Sequence, residues 1–285
     1  MDIQFLMRKH GIKPDKRLGQ HFLVNEAPIF SMIKAAELTL QDEVLEVGPG
    51  LGVLTVNLCD KVKKVVAVEK DKNLIPVVAD LTKDLKNICL LQEDVLKLNM
   101  EKLKREYFSG NFKVVANLPY YITSPMIMKI IRNRHMIENA VLMVQKEVAQ
   151  RIVAPPGKKD YGILSIAVQL FADTHIVCDV DRTSFLPPPR VDSSVVKISL
   201  EKNPDKLPED EELFFKVVEA AFSQRRKTIR NSLKNCLRLP KVTEDVLDKA
   251  LYQTDIDPMR RGETLSIEEY ILLAQNIKHN IERQN

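Results

Sequence analysis

Five short apolar runs, at 44–47, 65–68, 88–91, 114–116 and 140–144, alternate with stretches of helical periodicity through the first half of the chain. The runs are mostly continuous rather than alternating, so their strands must be covered on both faces. Helices between the strands supply that cover, and the pattern predicts a doubly wound, largely parallel α/β sheet. Two later runs, 176–180 and 195–200, flank Phe185-Leu186-Pro187-Pro188-Pro189 and are expected to close the sheet as an antiparallel pair.

The character of the chain changes at 203–212, where Pro204, Pro208 and five acids mark a linker. Beyond it only helical spacing remains. Leu213, Phe214, Val217, Val218 and Ala221 form one stripe, and Ile229, Leu233 and Leu237 another. Ser266 with Glu269 is a capping box ahead of Tyr270. At the other end, residues 1–27 read as an arm, and Pro28 opens a helix carrying Ile29, Met32, Ile33 and Ala36. The expected organisation is therefore an arm (1–27), an α/β domain (28–202) and a smaller all-helical domain (203–285).

The four cysteines, Cys59, Cys89, Cys178 and Cys236, are dispersed, which argues against a disulfide framework and against zinc. No apolar run approaches the roughly 18 residues that span a bilayer, and the charged first 20 residues are not a secretory signal. A cytoplasmic protein without a membrane segment is expected. The net charge is only +4, but it is concentrated. Between 223 and 241 stand Arg225, Arg226, Lys227, Arg230, Lys234, Arg238 and Lys241 with no acid, and Arg8, Lys9, Lys13, Lys16 and Arg17 crowd the arm. Local basic fields on a nearly neutral protein point to a polyanionic partner.

The first apolar run leads into Glu46-Val47-Gly48-Pro49-Gly50-Leu51-Gly52. Glycines there let the backbone turn sharply and approach a ligand at a helix N-terminus. The spacing is one residue short of the dinucleotide fingerprint and has no Lys-Ser/Thr for a phosphate loop. Glu69 ends the second run, 21 residues after Gly48, where an acid can take two ribose hydroxyls. Asp94 follows the third run and could accept from an adenine amino group. Together they favour an adenosine-bearing cofactor with no pyrophosphate, S-adenosylmethionine rather than NAD. Each part also fits a plainer reading: a tight strand-to-helix turn, a solvated strand end, a helix cap. Glu46 is harder to explain so, because a carboxylate between apolar neighbours needs a partner.

The fourth run ends in Asn117-Leu118-Pro119-Tyr120. Leu118 precedes a proline, so its backbone is extended and its carbonyl is left outside any helix. The Asn117 side-chain oxygen and that carbonyl are two acceptors able to hold one exocyclic amino group, with Tyr120 stacked on a flat base.

These stretches together resemble the KsgA-type rRNA adenine dimethyltransferases over about 16–274. The blocks that carry the likeness are RLGQHFL (17–23), LEVGPGLGVLT (45–55), VEKD (68–71), ANLPYYITSP (116–125), MVQKEVAQRIVAPPGKKDYGILSI (143–166), FLPPPRVDSSVV (185–196) and FSQRRKTIRNSL (222–233). The resemblance implies a Rossmann-like methyltransferase sheet of seven strands with a reversed final hairpin, followed by the helical domain. It implies that S-adenosylmethionine is held by His21 and Leu23 of a closing arm and by Gly48, Gly50, Glu69, Asp94 and Asn117. Asn117, Leu118, Tyr120 and Phe185 would grip the target adenine, with no metal. Arg225, Arg226, Lys227 and Arg230 would bind RNA. It further implies N6,N6-dimethylation of two adjacent adenosines in the 3′-terminal hairpin of small-subunit rRNA, on the immature subunit, by a monomer. His21 stands where relatives carry Asn.

Overall fold

A computed structural model describes residues 2–15, 19–200, 207–236 and 242–283. Lys16, Arg17, Leu237, Arg238 and Lys241, and the start of the 203–212 linker, lie outside the described residues. In chain order the elements are α1 (Ile3–Lys9), β1 (Phe22–Leu23), α2 (Ala27–Ala35), β2 (Glu43–Val47), α3 (Val53–Cys59), β3 (Lys64–Glu69), α4 (Ile75–Leu81), β4 (Ile88–Gln92), α5 (Met100–Tyr107), β5 (Phe112–Asn117), α6 (Thr123–Arg132), β6 (Ile137–Gln145), α7 (Lys146–Val153), α8 (Ile163–Gln169), β7 (Asp173–Val180), β8 (Phe185–Leu186), β9 (Ser193–Ser199), α9 (Glu211–Phe222), α10 (Ile229–Cys236), α11 (Glu244–Gln253) and α12 (Ile267–Glu282). None of the described helices is long and apolar enough to cross a membrane.

The chain divides into two compact units, residues 1–150 with 171–202, and 151–170 with 203–285. The first is built on a seven-stranded sheet in the order β4-β3-β2-β5-β6-β9-β7. Strands β2 to β6 are parallel, and β9 runs antiparallel to both β6 and β7. Each continuous apolar run lies inside one of these strands, and β2 is buried along its whole length. From β2 the chain first winds outward to β3 and β4, then returns to β5 on the other side. Strand order therefore reverses between β2 and β5, and a crevice opens beyond the carboxyl ends of those two strands, where such sheets bind ligands.

A second, two-stranded sheet pairs β1 with β8, Phe22 opposite Leu186 and Leu23 opposite Phe185. It fastens the end of the arm to the Phe185-Leu186-Pro187 segment. The start of the arm is helical: Asp2 caps α1 by accepting from the Phe5 amide, and Ile3 and Leu6 are buried. Lys9 and His10 both reach Asp80 of α4, at 2.5 and 3.2 Å.

In the second unit, Asp210, Thr243 and Ser266 cap α9, α11 and α12, and the Ser266–Glu269 capping box is formed in both directions. Its core holds Phe214, Val217, Ile229, Leu233, Val246, Ala250, Tyr270 and Leu273. Segment 151–170 groups with this unit, not with the α/β domain to which a boundary at 203 assigns it. The reason is local: the Gly157 amide donates to the Glu263 carbonyl, and fully buried Tyr161 packs edge-on against Phe222.

Candidate functional site

The loop between β2 and α3 owes its shape to glycine. Gly48 and Gly50 have φ of +67° and +60°, where L side chains are strained. A Cβ on Gly48 would sit 3.4 Å from Pro119 Cδ. The two loops at the reversal point thus meet at a glycine and a proline ring, and the space above them stays open. A cavity there is lined by His21, Leu23, Gly48, Gly50, Glu69, Asn117, Leu118, Tyr120 and Phe185. Nine of the ten residues assigned to cofactor or base on the sequence come together in it. Asp94 does not line it.

Glu69, at the end of β3, is 7% exposed. Its carboxylate accepts from the Gly50 amide at 3.4 Å and the Asp71 amide at 2.8 Å, so it braces the glycine loop. Burial raises its pKa above the ordinary carboxylate range, and the backbone amides offset part of the rise. Asp94 caps its own turn by accepting from the Leu96 amide and pairs with Lys70 at 3.1 Å. Burial there opposes ionisation, but Lys70 and the Leu96 amide outweigh it and hold the carboxyl below its ordinary range. Lys70 itself lines the cavity, and so stands as the intermediary between Asp94 and the crevice.

Glu46, the second-last residue of β2, is 1% exposed, and neither oxygen has a hydrogen-bond partner among the described residues. Burial pushes its pKa up to about 8; the Thr55 hydroxyl, nearby but not hydrogen-bonded, offsets a little of this, and Glu69 adds to it. The loop amides do not satisfy it. Glu46 does not line the cavity, but an orphaned buried carboxylate two residues before the glycine loop is suited to a ligand that brings a cationic amine.

On the other side of the crevice, Leu118 is 1% exposed and its amide donates to the Met143 carbonyl, which seats the loop on β6. The Asn117 side-chain amide and the Leu118 carbonyl have no hydrogen-bond partner among the described residues. Both remain available to a ligand, as the proline at 119 requires of residue 118. Tyr120 starts a 3-10 turn, and its hydroxyl lies 2.9 Å from Ser193 Oγ. Phe185 is buried on β8 opposite Leu23, inside the apolar cluster as well as on the cavity wall. His21 Nδ1 is 2.7 Å from the Pro187 carbonyl, and its ring centroid is 5.8 Å from that of Tyr120.

Ile3, Lys70, Tyr121 and Met143 also line the cavity, and none was assigned from sequence. Asp2 ahead of Ile3, with Arg8 and Lys9 six and seven residues on, is an N-cap and C-terminal charge signature that would have revealed α1. Ser193 carried no such signal.

The basic segment is less uniform than its composition. Arg230 is held by Asp248 at 2.5 and 2.7 Å and by Glu244, and Lys234 also pairs with Glu244. Arg225 donates to the carbonyls of Lys159 and Tyr161 and pairs with Glu263 at 3.4 Å, fixing the 158–161 loop. Arg226 and Lys227 are exposed and have no ion pair among the described residues.

Residues 11–273 match the family model described as "Ribosomal RNA adenine dimethylase". "Ribosomal RNA small subunit methyltransferase A" of Geobacillus sp. (strain WCH70) is 44% identical over 276 residues, covering 96% of this chain and 95% of that protein. The protein of the same name from Clostridioides difficile (strain 630) is 43% identical, covering 97% and 95%. Among solved structures, a dimethyladenosine transferase from Plasmodium falciparum superimposes with a TM-score of 0.79 at 29% identity, covering 91% of this chain and 98% of that one. The 23S rRNA methyltransferase ErmE gives 0.69 at 26% identity, covering 90% and 99%.

Proposed function

The chain belongs to the ribosomal RNA adenine dimethylase family, and we propose that it methylates N6 of two adjacent adenosines in the 3′-terminal hairpin of 16S rRNA. The product is N6,N6-dimethyladenosine, made on the immature small subunit during ribosome biogenesis by a cytoplasmic monomer. The observation that carries the reading is the pair of free acceptors, Asn117 and Leu118, beside an aromatic ring at the ligand crevice of a methyltransferase fold.

S-adenosylmethionine, when bound, supplies an electrophilic methyl on a sulfonium, whose sulfur leaves as a neutral thioether. Glu69 would hold the ribose hydroxyls with the lone pairs left over from Gly50 and Asp71, and Gly48 and Gly50 would let the backbone close on the methionine part. Glu46 would face the amine, which supplies the counter-charge its oxygens lack. Asp94 would reach the adenine once Lys70 is displaced or shares it, and His21 and Leu23, fastened through β1 to β8, would close the arm.

The target N6 lone pair is delocalised into its ring, so its reactivity depends on geometry. In the first transfer, accepting both N6 hydrogens at the Asn117 oxygen and the Leu118 carbonyl turns that lone pair toward the methyl; in the second, the one hydrogen left is accepted by one of the two, and each transfer releases one N6 proton to solvent. Holding two reacting atoms about 3–3.5 Å apart can remove roughly 7–11 kcal/mol of barrier. Tyr120 on one face and Phe185 on the other would stack on the base, each worth about 1–3 kcal/mol by truncation. A paired adenine cannot enter such a site, so the target is flipped out or lies in a loop. Exposed Arg226 and Lys227 are suited to hold phosphates without reading sequence.

Mass spectrometry of nucleoside digests from 16S and 23S rRNA, with and without the protein in the cell, tests this reading. Loss of dimethyladenosine from 16S rRNA is expected. Loss from 23S rRNA alone would move the target to the large subunit.

A further inference from the structure

Tyr120 can orient a base only if its own ring is held in one plane, and it sits on a loop after a proline rather than on a strand. Its hydroxyl meets one described partner, Ser193 Oγ, at 2.9 Å. Ser193 is fully buried, and its backbone is fixed from both sides: it lies opposite Gln145 of β6 and Val180 of β7. The anchor is therefore held by strands on both sides.

The pairing is also exclusive. The Ser193 hydroxyl has no other described partner, so any rotamer that withdraws the phenol leaves a buried hydroxyl unsatisfied. Burial, with the Asp192 charge adding to it, raises the Tyr120 pKa, which keeps the phenol protonated and the bond in place. The His21 ring, 5.8 Å away and tilted by 32°, limits the ring from the arm side.

We propose that Ser193 is a positioning residue for the methyl-transfer reaction: by pinning the Tyr120 phenol to the start of β9, where that strand is paired with β6 on one side and β7 on the other, it sets the plane on which the target base stacks. The inference rests on the function proposed above. It assigns to β9 a part in the reaction although Ser193 itself touches neither cofactor nor base.

Single-turnover methyl transfer to small ribosomal subunits that lack the modification tests it, using Ser193→Ala, Tyr120→Phe, the double variant and Ser193→Thr. Either single variant should slow transfer roughly three- to tenfold, the worth of one net hydrogen bond, with cofactor Kd unchanged. The double variant should be no slower than the slower single, because both remove the same contact. Ser193→Thr, which keeps the hydroxyl, should recover most of the rate. Losses that multiply in the double variant, or a Ser193→Ala enzyme at full rate, overturn the assignment. Tyr120→Phe leaves the strand untouched, so its rate reads the bond even where Ser193→Ala disturbs folding. A wild-type protein that transfers nothing to small subunits would instead sink the proposed function, and this inference with it.

Discussion

Replacing Glu46 by Gln should stabilise the cofactor-free protein at pH 8 and change it far less at pH 5. The carboxyl is 1% exposed with two orphaned oxygens, and burial moves its pKa from the ordinary 4.5 to about 8. The folded state therefore keeps a proton that the unfolded chain has already released. Between about pH 4.5 and pH 8 the folded state binds more protons, so stability contributed by this group falls as pH rises through that window. At about 1.4 kcal/mol per pKa unit, the penalty is about 1 kcal/mol at pH 5 and about 4 kcal/mol at pH 8. Gln has the same shape and does not titrate. The midpoint difference between variant and wild type should thus widen by about 3 kcal/mol, or roughly 5–10 °C for a chain of this size, on going from pH 5 to pH 8. Calorimetry of both proteins at constant ionic strength measures it. Glu69, whose pKa is raised too, is present in both proteins, and Cys59, pushed up to about 12, stays a thiol throughout. A difference that stays constant with pH would refute the reasoning, because it would mean that Glu46 already has a partner.

Gly48→Ala places a Cβ at 3.4 Å from Pro119 Cδ on a backbone with φ of +67°, a strain of about 1–2 kcal/mol. Isothermal titration should show S-adenosylmethionine binding weakened roughly tenfold. Neutralising Arg226 and Lys227 together should lower the slope of log K against log salt for RNA binding by about 1.5–2, whereas Arg230→Gln should leave the slope unchanged and lower the melting point of the helical unit. Asp80→Asn removes the contacts to Lys9 and His10 and should speed tryptic cleavage after Arg8 and Lys9 roughly two- to fivefold, read by mass spectrometry.

Strands β2, β3, β5 and β6 were legible because each is buried on both faces, and burial of that kind writes a continuous apolar run; β4, at the sheet edge, carries such a run while only half-buried. The glycine loop, Glu69 and the Asn117–Tyr120 loop were legible because strand ends at a reversal point converge whatever the details of the fold. β1 and β8 were not. Two residues carry no periodicity, and their pairing joins Phe22 to Leu186 across most of the chain. Composition also leaves the partners of the basic segment out of sight: between 223 and 241 there is no acid, and those that Arg230 and Lys234 pair with, Glu244 and Asp248, come from the next helix. Asp94 shows the same limit, since Lys70 follows Glu69 in sequence and still reaches the carboxylate after the neighbouring strand. Segment 151–170 reads as a continuation of the α/β pattern and joins the helical unit through Gly157, Tyr161 and the two carbonyls held by Arg225.

Methyl transfer in this site turns on the grip of Asn117 and Leu118 on one exocyclic amine. Purified wild-type and Asn117→Ala proteins, given labelled S-adenosylmethionine and small ribosomal subunits lacking the modification, test that grip when the rRNA is digested to nucleosides. Wild type should place the label in N6,N6-dimethyladenosine, and Asn117→Ala, still folded and still binding cofactor, should be slower by roughly 100-fold or more. Full-rate transfer by Asn117→Ala, or label in any nucleoside other than N6-methylated adenosine, would contradict it.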